Sequence, residues 1–496
     1  MKQPVVHIRH LNLKYKNNVV LKDLNWTINR GDNWLLNGIS GSGKTSLAKI
    51  IAGQQSAVGE IDINFDTTSK LPARVLYVES WYQFKNLEGV ANFYYQQRYT
   101  NLQFKETLTV KAELKLFGKE NNLDFTEAEV LIDALGYSGQ RDSQLIELSS
   151  GEHKKLQLIK ALWLKPQLLI IDQPYTGLDV NSRKVLNRLL DEAAAEGVTL
   201  ILISNDEHAP SAINRFALLE GTLVEVASAE ELQLEADQPL REIPGFLKVP
   251  PNYSSDHIVK MVNINISYGE KQVLKNINWE VNKGEKWLLQ GHNGSGKSTL
   301  LSLLNGDHPQ AYTDGLYLFG KPRGSGESIW DIKQRIGLIS PEFHWYFDSS
   351  STVWQSIASG LYDNFGLTLE LPYSKAQKVD ELVAYFGLTD IKNEILGTLP
   401  LGKQRLTLLA RTIIKDPELL ILDEPCQGLD QQQTRYFNQL VDELCSNGMT
   451  LIYVGHYESA LPDTLEKRIV LEKGTVKIIE DINVPETEPA DFQQVN

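Results

Sequence analysis

The chain has 496 residues, enough for two or three domains with their own cores, and an ordinary globular composition that excludes disordered and fibrous classes. Its net charge of −14 argues against general nucleic-acid binding, which calls for a basic face. No run approaches the roughly 18 apolar residues of a membrane helix, the opening "MKQPVVHIRH" has no apolar leader, and two cysteines, Cys426 and Cys445, suit a reducing cytoplasm.

In chain order, "VVHIRHLNLKY" alternates apolar and polar residues and predicts a strand. "NWLLNG" predicts a second strand running into "GISGSGKTS" and a helix. G-x-x-x-x-G-K-[ST] is satisfied by Gly38, Gly43, Lys44 and Thr45, with Gly41, Ser42 and Ser46 completing the loop. Such glycines let backbone N–H groups turn inward around phosphate oxygens, the lysine reaches the outer phosphates, and the hydroxyl ligates Mg²⁺. The helix start adds positive partial charge. Residues 80–165 are mixed aromatic and helical in character. Within them "LSSGE", Leu148 to Glu152, opens a predicted helix. Ser149 and Gly151 there make an anion site from hydroxyl, backbone N–H and helix dipole, although taken alone the stretch reads as an N-cap. "QLLIID" predicts a buried parallel strand ending on Asp172, placed to hold a metal ion. "GLD" at Gly177–Asp179, a helix and the strand "GVTLILIS" follow. The region is an α/β pattern with an inserted helical part.

The stretch 232–256, "LQLEADQPLREIPGFLKVPPNYSSD", is rich in proline and charge and reads as a linker between a first domain (1–231) and a second (257–480). The second domain repeats the first. Tyr15 and Tyr268, Trp26 and Trp279, Gly31 and Gly284, and Lys44 and Lys297 all pair at an offset of 253, and Asp172 and Asp423 at 251. A constant offset across such landmarks means duplicated domains. The second loop, "GHNGSGKST", contributes Gly291, Gly294, Ser295, Gly296, Lys297, Ser298 and Thr299. A middle section spans roughly 342–415; "LPLGK" stands where the first half has "LSSGE", keeping Gly402, and "ELLILD" ends on Asp423. The tail, 481–496, is acidic.

This set of phosphate loop, LSxGE-type signature, Asp-ended strand and "GLD" resembles the ATP-binding cassette ATPases of ABC systems over nearly the whole chain. The resemblance implies an α/β fold of two tandem P-loop NTPase domains. Each would have a RecA-like, mainly parallel sheet core, an antiparallel β part and a helical subdomain. It implies ATP hydrolysis with Mg²⁺ held by Thr45 and Asp172, and by Ser298 and Asp423. It further implies that two cassettes pack head to tail, so that each ATP lies between one half's loop and the other's signature, with adenine stacked on Tyr15 or Tyr268.

The copies differ. Glu424, the residue that would polarise the attacking water in the second half, is matched by Gln173, which takes no proton; loss of a general base typically costs about 10²–10⁴ in rate. His456 fits the family's switch histidine, while the first half has Asn205, with His208 three residues on. Conversely, Pro400 replaces the signature serine in the second half, in a place where proline suits a helix start. Head-to-tail pairing puts all three departures into one site. The site of Lys297, Ser298, Asp423, Glu424 and His456 would face Ser149 and Gly151 and be complete. The site of Lys44, Thr45, Asp172, Gln173 and Asn205 would face Pro400 and Gly402. Asn205 and Pro400 argue against reading Gln173 as an engineered trap.

Both halves also lack the glutamine that usually follows the middle strand, where Ser80 and Pro341 stand, with Gln83 or Glu342 as candidate substitutes. "GSGESIWDIK" and its surroundings resemble the tandem ModF-type group associated with molybdate uptake and, in some members, with photorepair. That resemblance implies membrane permease subunits as partners, or a cytoplasmic protein if the chain is a soluble regulator or mechanoenzyme. A ribosome-acting tandem ATPase would carry a long basic linker and two intact glutamates, which this chain lacks.

Overall fold

The computed structural model describes residues 4–15, 18–39, 41–80, 108–145, 148, 150–204, 209–228, 239–268, 271–341, 347, 350–362, 371–455 and 461–482. In the first half, β1 (Pro4–Tyr15) pairs antiparallel with β2 (Asn18–Asn29) and β4 (Val58–Ile63). A second sheet has the order β5-β6-β7-β3-β8-β9, built from β3 (Trp34–Asn37), β5 (Val75–Val78), β6 (Leu168–Asp172), β7 (Thr199–Ile203), β8 (Arg215–Leu219) and β9 (Leu223–Val226). Its first five strands are parallel and β9 is antiparallel. "LLIID" and "TLILI" are buried at every position, as apolar runs covered on both faces of a parallel sheet must be.

The second half reproduces this plan. β10 (His257–Tyr268), β11 (Lys271–Asn282), β13 (Leu316–Leu318) and β14 (Lys321–Pro322) form the antiparallel part. The main sheet runs β15-β16-β17-β12-β18-β19, from β12 (Lys286–Gly291), β15 (Ile336–Ile339), β16 (Leu419–Asp423), β17 (Thr450–Val454), β18 (Lys467–Glu472) and β19 (Thr475–Asp481). Even the clamp between the two sheets of each half is duplicated. Trp26 meets Trp34 edge-on at 5.2 Å, and Trp279 meets Trp287 at 5.6 Å.

Helices complete each half. α1 (Lys44–Ile51) and its counterpart α6 (Lys297–Leu304) follow the glycine loops. The first helical part comprises α2 (Val110–Asn121), α3 (Phe125–Ala134) and α4 (Ser150–Leu164), gathered around buried Trp163, whose indole N–H donates to the Asp124 carbonyl at 3.0 Å. α5 (Val180–Ala195) lies between β6 and β7. In the second half α7 (Ile329–Arg335) precedes the helical part of α8 (Val353–Ser359), α9 (Tyr373–Tyr385) and α10 (Leu401–Ile413), and α11 (Gln431–Cys445) follows β16. Pro400 caps α10 at φ −56°, so the proline sits at a helix start that tolerates it.

The described part of the connecting stretch is packed chain. Leu247 is buried in the second half's core, and its carbonyl accepts from the Asn447 amide at 2.7 Å. Tyr253 donates to the Gly448 carbonyl at 2.6 Å, and Ser254 donates from N and Oγ to the Glu418 carboxylate at 3.0 Å. Leu247→Ala is therefore expected to cost about 2–5 kcal/mol, read as a lower denaturation midpoint. An unchanged midpoint would show that the segment merely rests on the surface.

Candidate functional site

The two glycine loops have nearly the same backbone. Gly43 and Gly296 precede α1 and α6 at φ +102° and +104°, and an added Cβ would meet the Leu21 side chain at 2.8 Å or that of Leu274 at 2.6 Å. Only glycine fits both the left-handed torsion and the space. Neither helix has a side-chain N-cap, so its first-turn N–H groups remain available to an anion. Lys44 Nζ folds back to donate to the carbonyls of Gly38 and of Ile39 (2.8 Å), and Lys297 Nζ does the same to Gly291 (2.6 Å) and His292 (3.3 Å). Burial lowers the Lys44 amine to about 8, with Asp172 and, from the other half, Asp430 pulling it back up. Ser42 and Ser295 are buried, and Ser295 Oγ has no partner among the described residues.

Asp172 ends β6 directly beneath the first loop. Its carboxylate accepts from Thr45 Oγ1 at 2.6 Å and from the Tyr77 hydroxyl at 3.2 Å. Burial pushes the Asp172 carboxyl up, opposed by the Thr45 bond and by Lys154 and Lys44. A hydroxyl and a carboxylate oxygen converging below a phosphate-sized loop form the hard-oxygen donor set that suits Mg²⁺. In the second half Ser298 lies exposed in the first turn of α6 and Asp423 ends β16.

Tyr15 and Tyr268 both present half-exposed rings. Gln55 Nε2 donates to the Tyr15 hydroxyl at 2.7 Å, and that hydroxyl lies 3.2 Å from Ser46 Oγ. In the second half His308 takes the place of Gln55, 2.7 Å from the Tyr268 hydroxyl. The Gln310 N–H donates to His308 Nδ1 at 3.0 Å, so the neutral ring carries its proton on Nε2 and donates it to Tyr268.

The halves meet crosswise. Asn293, in the second glycine loop, donates its amide to the Gly177 carbonyl of the first half at 2.6 Å. A Cβ added to Gly151 would lie 2.8 Å from that same amide nitrogen and 2.2 Å from the Gly177 oxygen. On the opposite side a Cβ on Gly41, in the first loop, would lie 2.7 Å from the Pro400 ring. Each loop thus faces the signature region of the other half. Gly402 is arranged differently from Gly151, its α-carbon facing the Gln433 amide of its own half.

Gln173 and Glu424 occupy the same unusual backbone position, at φ +49° and +44°. Such torsions are costly for non-glycine residues and are retained where geometry matters. Ser149, Asn205, His208, His456, Gln83 and Glu342 lie outside the described residues.

No motif points to five residues found here: Asn293, Gln427, Gln55, His308 and Lys154. Lys154, on α4, is buried, donates to the carbonyls of Glu79 (2.8 Å) and Asp172 (2.9 Å), and is brought down by burial to about 7. It ties the signature helix to the ends of β5 and β6.

A family profile described as "ABC transporter" matches residues 21–176 and 274–427. The ABC transporter ATP-binding protein ModF of Escherichia coli K12 is 34% identical over 89% of this chain and 92% of its own. The ABC transporter ATP-binding protein C323.04 of Schizosaccharomyces pombe is 30% identical over 92% of this chain and 96% of its own. Among solved structures, that of the RNase-L inhibitor aligns over 96% of this chain and 91% of its own with a TM-score of 0.55; at 17% identity it speaks to the fold alone.

Proposed function

As the chain belongs to the ABC transporter family of ATP-binding cassette ATPases, we propose that its two cassettes clasp two ATP molecules and hydrolyse mainly the one at the second loop. The observation that carries this is the crossed contact of Asn293 with Gly177, beside Gly151. It is supported by the retention of Glu424 on that side only. We take 1–231 and 257–480 as the two cassettes, joined by 232–256. In the competent site Lys297 and the N–H groups around Gly291, Gly294, Ser295 and Gly296 hold the phosphates. Ser298 and Asp423 hold Mg²⁺, Thr299 and Tyr268 border the nucleotide, and Ser149 and Gly151 close over it from the other half. Bound Mg²⁺ neutralises charge on the β- and γ-oxygens. Glu424 accepts the proton of the attacking water as its oxygen bonds to the γ-phosphorus and the bond from that phosphorus to the bridging oxygen breaks, ADP leaving with that oxygen, and His456 contacts the γ-phosphate. In the other site Gly38, Gly41, Ser42, Gly43, Lys44, Thr45, Ser46, Asp172 and Tyr15 bind ATP and Mg²⁺ opposite Pro400 and Gly402. Gln173 there cannot take the proton.

We take the chain to be the energy-coupling ATP-binding component of a molybdate-type ABC transport system, cytoplasmic and docked at the inner membrane face. No helix among the described residues is long and apolar enough to cross a membrane, so permease subunits would supply the path. Ser80 and Pro341, standing where a coupling glutamine is usual, favour a second reading: a soluble ATPase acting on a cytoplasmic partner. Co-purification of Glu424→Gln protein with ATP separates the two. Recovery of permease subunits supports transport, and recovery of a soluble protein alone contradicts it.

Gln173→Glu alone is expected to raise turnover by less than about twofold, since one restored base leaves Asn205 and Pro400 in place. A tenfold gain in steady-state phosphate release would show those two changes to be harmless. Chelation of divalent cations is expected to abolish hydrolysis, and turnover that survives EDTA would contradict the roles given to Ser298 and Asp423.

A further inference from the structure

The turn after β16 folds a side chain back onto Glu424. The Gln427 N–H donates to the Glu424 carbonyl at 3.1 Å, and Glu424 itself is left-handed, so the two side chains emerge on the same side of the turn. The Gln427 amide then donates through Nε2 to the Glu424 carboxylate at 3.0 Å. Its other end, Oε1, is buried without a hydrogen-bond partner among the described residues. Among the described residues, that carboxylate is the acceptor this amide uses. Across the junction the amide lies against the first half, since a Cβ added to Gly177 would be 3.2 Å from Nε2. This is the same Gly177 whose carbonyl Asn293 holds.

The first half supplies an internal control. Thr176 takes the place of Gln427, and its N–H donates to the Gln173 carbonyl at 3.3 Å. The backbone turn is kept, with Gln173 at φ +49°. What is missing is the long amide donor, and it is missing only where the carboxylate is missing too. A turn kept in both halves, with a donor reaching the carboxylate in one, marks Gln427 as a companion of that carboxylate.

Resting on the assignment of Glu424 as the base, we infer that Gln427 is a positioning residue: it holds the Glu424 carboxylate toward the attacking water and does so from the junction of the halves. The carboxylate oxygen that accepts from Nε2 is fixed, and with it the orientation of the group that takes the proton. The first half's Gly177 backs the amide at this position.

The test uses Gln427→Met, which keeps the length of the side chain and removes the donor, and Gln427→Glu, which keeps its shape and reverses the group at its end. Each is made in the full chain, alone and with Glu424→Gln. Each single variant is expected to lower kcat by about 10- to 100-fold while KM for ATP stays within about twofold, as misplacement of a reacting group does. In the Glu424→Gln background, slow single-turnover hydrolysis should show no further loss, because the carboxylate on which Gln427 acts is gone. A wild-type kcat in either folded variant overturns the inference, as does an undiminished loss in the double variant. If Glu424→Gln itself turns over at the wild-type rate, the assignment of the base has failed instead, and the two failures are thereby told apart.

Discussion

Glu424→Gln is expected to lower steady-state ATP turnover by about 10²- to 10⁴-fold and to leave ATP binding intact. The substitution preserves volume and shape but replaces a carboxylate that can accept a proton with an amide that cannot. It recreates in the second half what the first half already has, since Gln173 sits at the same left-handed backbone position one residue after its own strand-end aspartate. The phosphate loop, Ser298 and Asp423 are untouched, so nucleotide affinity should change by less than about threefold, as expected when an interaction specific to the transition state is removed. Equilibrium binding of a slowly hydrolysed analogue and phosphate release measure the two quantities separately. Wild-type turnover in this variant would remove Glu424 from the role of base.

A second large effect is expected from adding one methyl group at the junction. Gly151→Ala should reduce hydrolysis at least about 10²-fold, the scale on which loss of reacting geometry is felt. Alanine suits the start of α4 as a helix former, so the first half should fold. The new Cβ, however, would lie 2.2 Å from the Gly177 carbonyl oxygen and 2.8 Å from the Asn293 amide. The Gly177 oxygen belongs to the first half's own backbone and cannot swing aside, so the turn after β6 must shift and carry with it the carbonyl that Asn293 holds across the junction. Gly402→Ala is the matched control. Its Cβ would meet the Gln433 side-chain amide at 2.8 Å, and a flexible side chain can turn away. It should cost no more than a few-fold in rate. Equal losses in the two variants would mean that the junction is not the asymmetric clasp described above.

Much of this was legible in the sequence, for identifiable reasons. Buried parallel strands announce themselves as apolar runs, and "LLIID" and "LLILD" were placed correctly together with the aspartates that end them. The glycine loops were legible because their function dictates residue types at fixed spacing. The tandem repeat showed because landmarks such as Trp26 and Trp279 keep one offset, and each indeed packs on a second tryptophan in the same way.

What stayed hidden depends on tertiary contact. Gln427 stands three residues beyond Glu424 in a stretch with no helical or strand period. Its reach back to the carboxylate requires the left-handed torsion of Glu424, which no pattern reports. Lys154 belongs to a charged pair on a helix, the usual mark of a solvated face, yet it is buried against two carbonyls at strand ends. The connecting stretch reads as a linker because of its prolines and charges. Its apolar residues, Ile243, Phe246 and Leu247, carry the contact with the second half's core, and three positions are too short a run to read as a helix or strand.

The central claim is that two nucleotides are held and one of them is cleaved. Single-turnover hydrolysis of radiolabelled ATP, saturating the wild-type chain, tests it most directly. Two equivalents are expected to bind per chain, with about one equivalent released quickly as phosphate and the other retained as ATP at least about 10²-fold longer, the difference that a missing general base makes. Release of both equivalents at one common rate would contradict it.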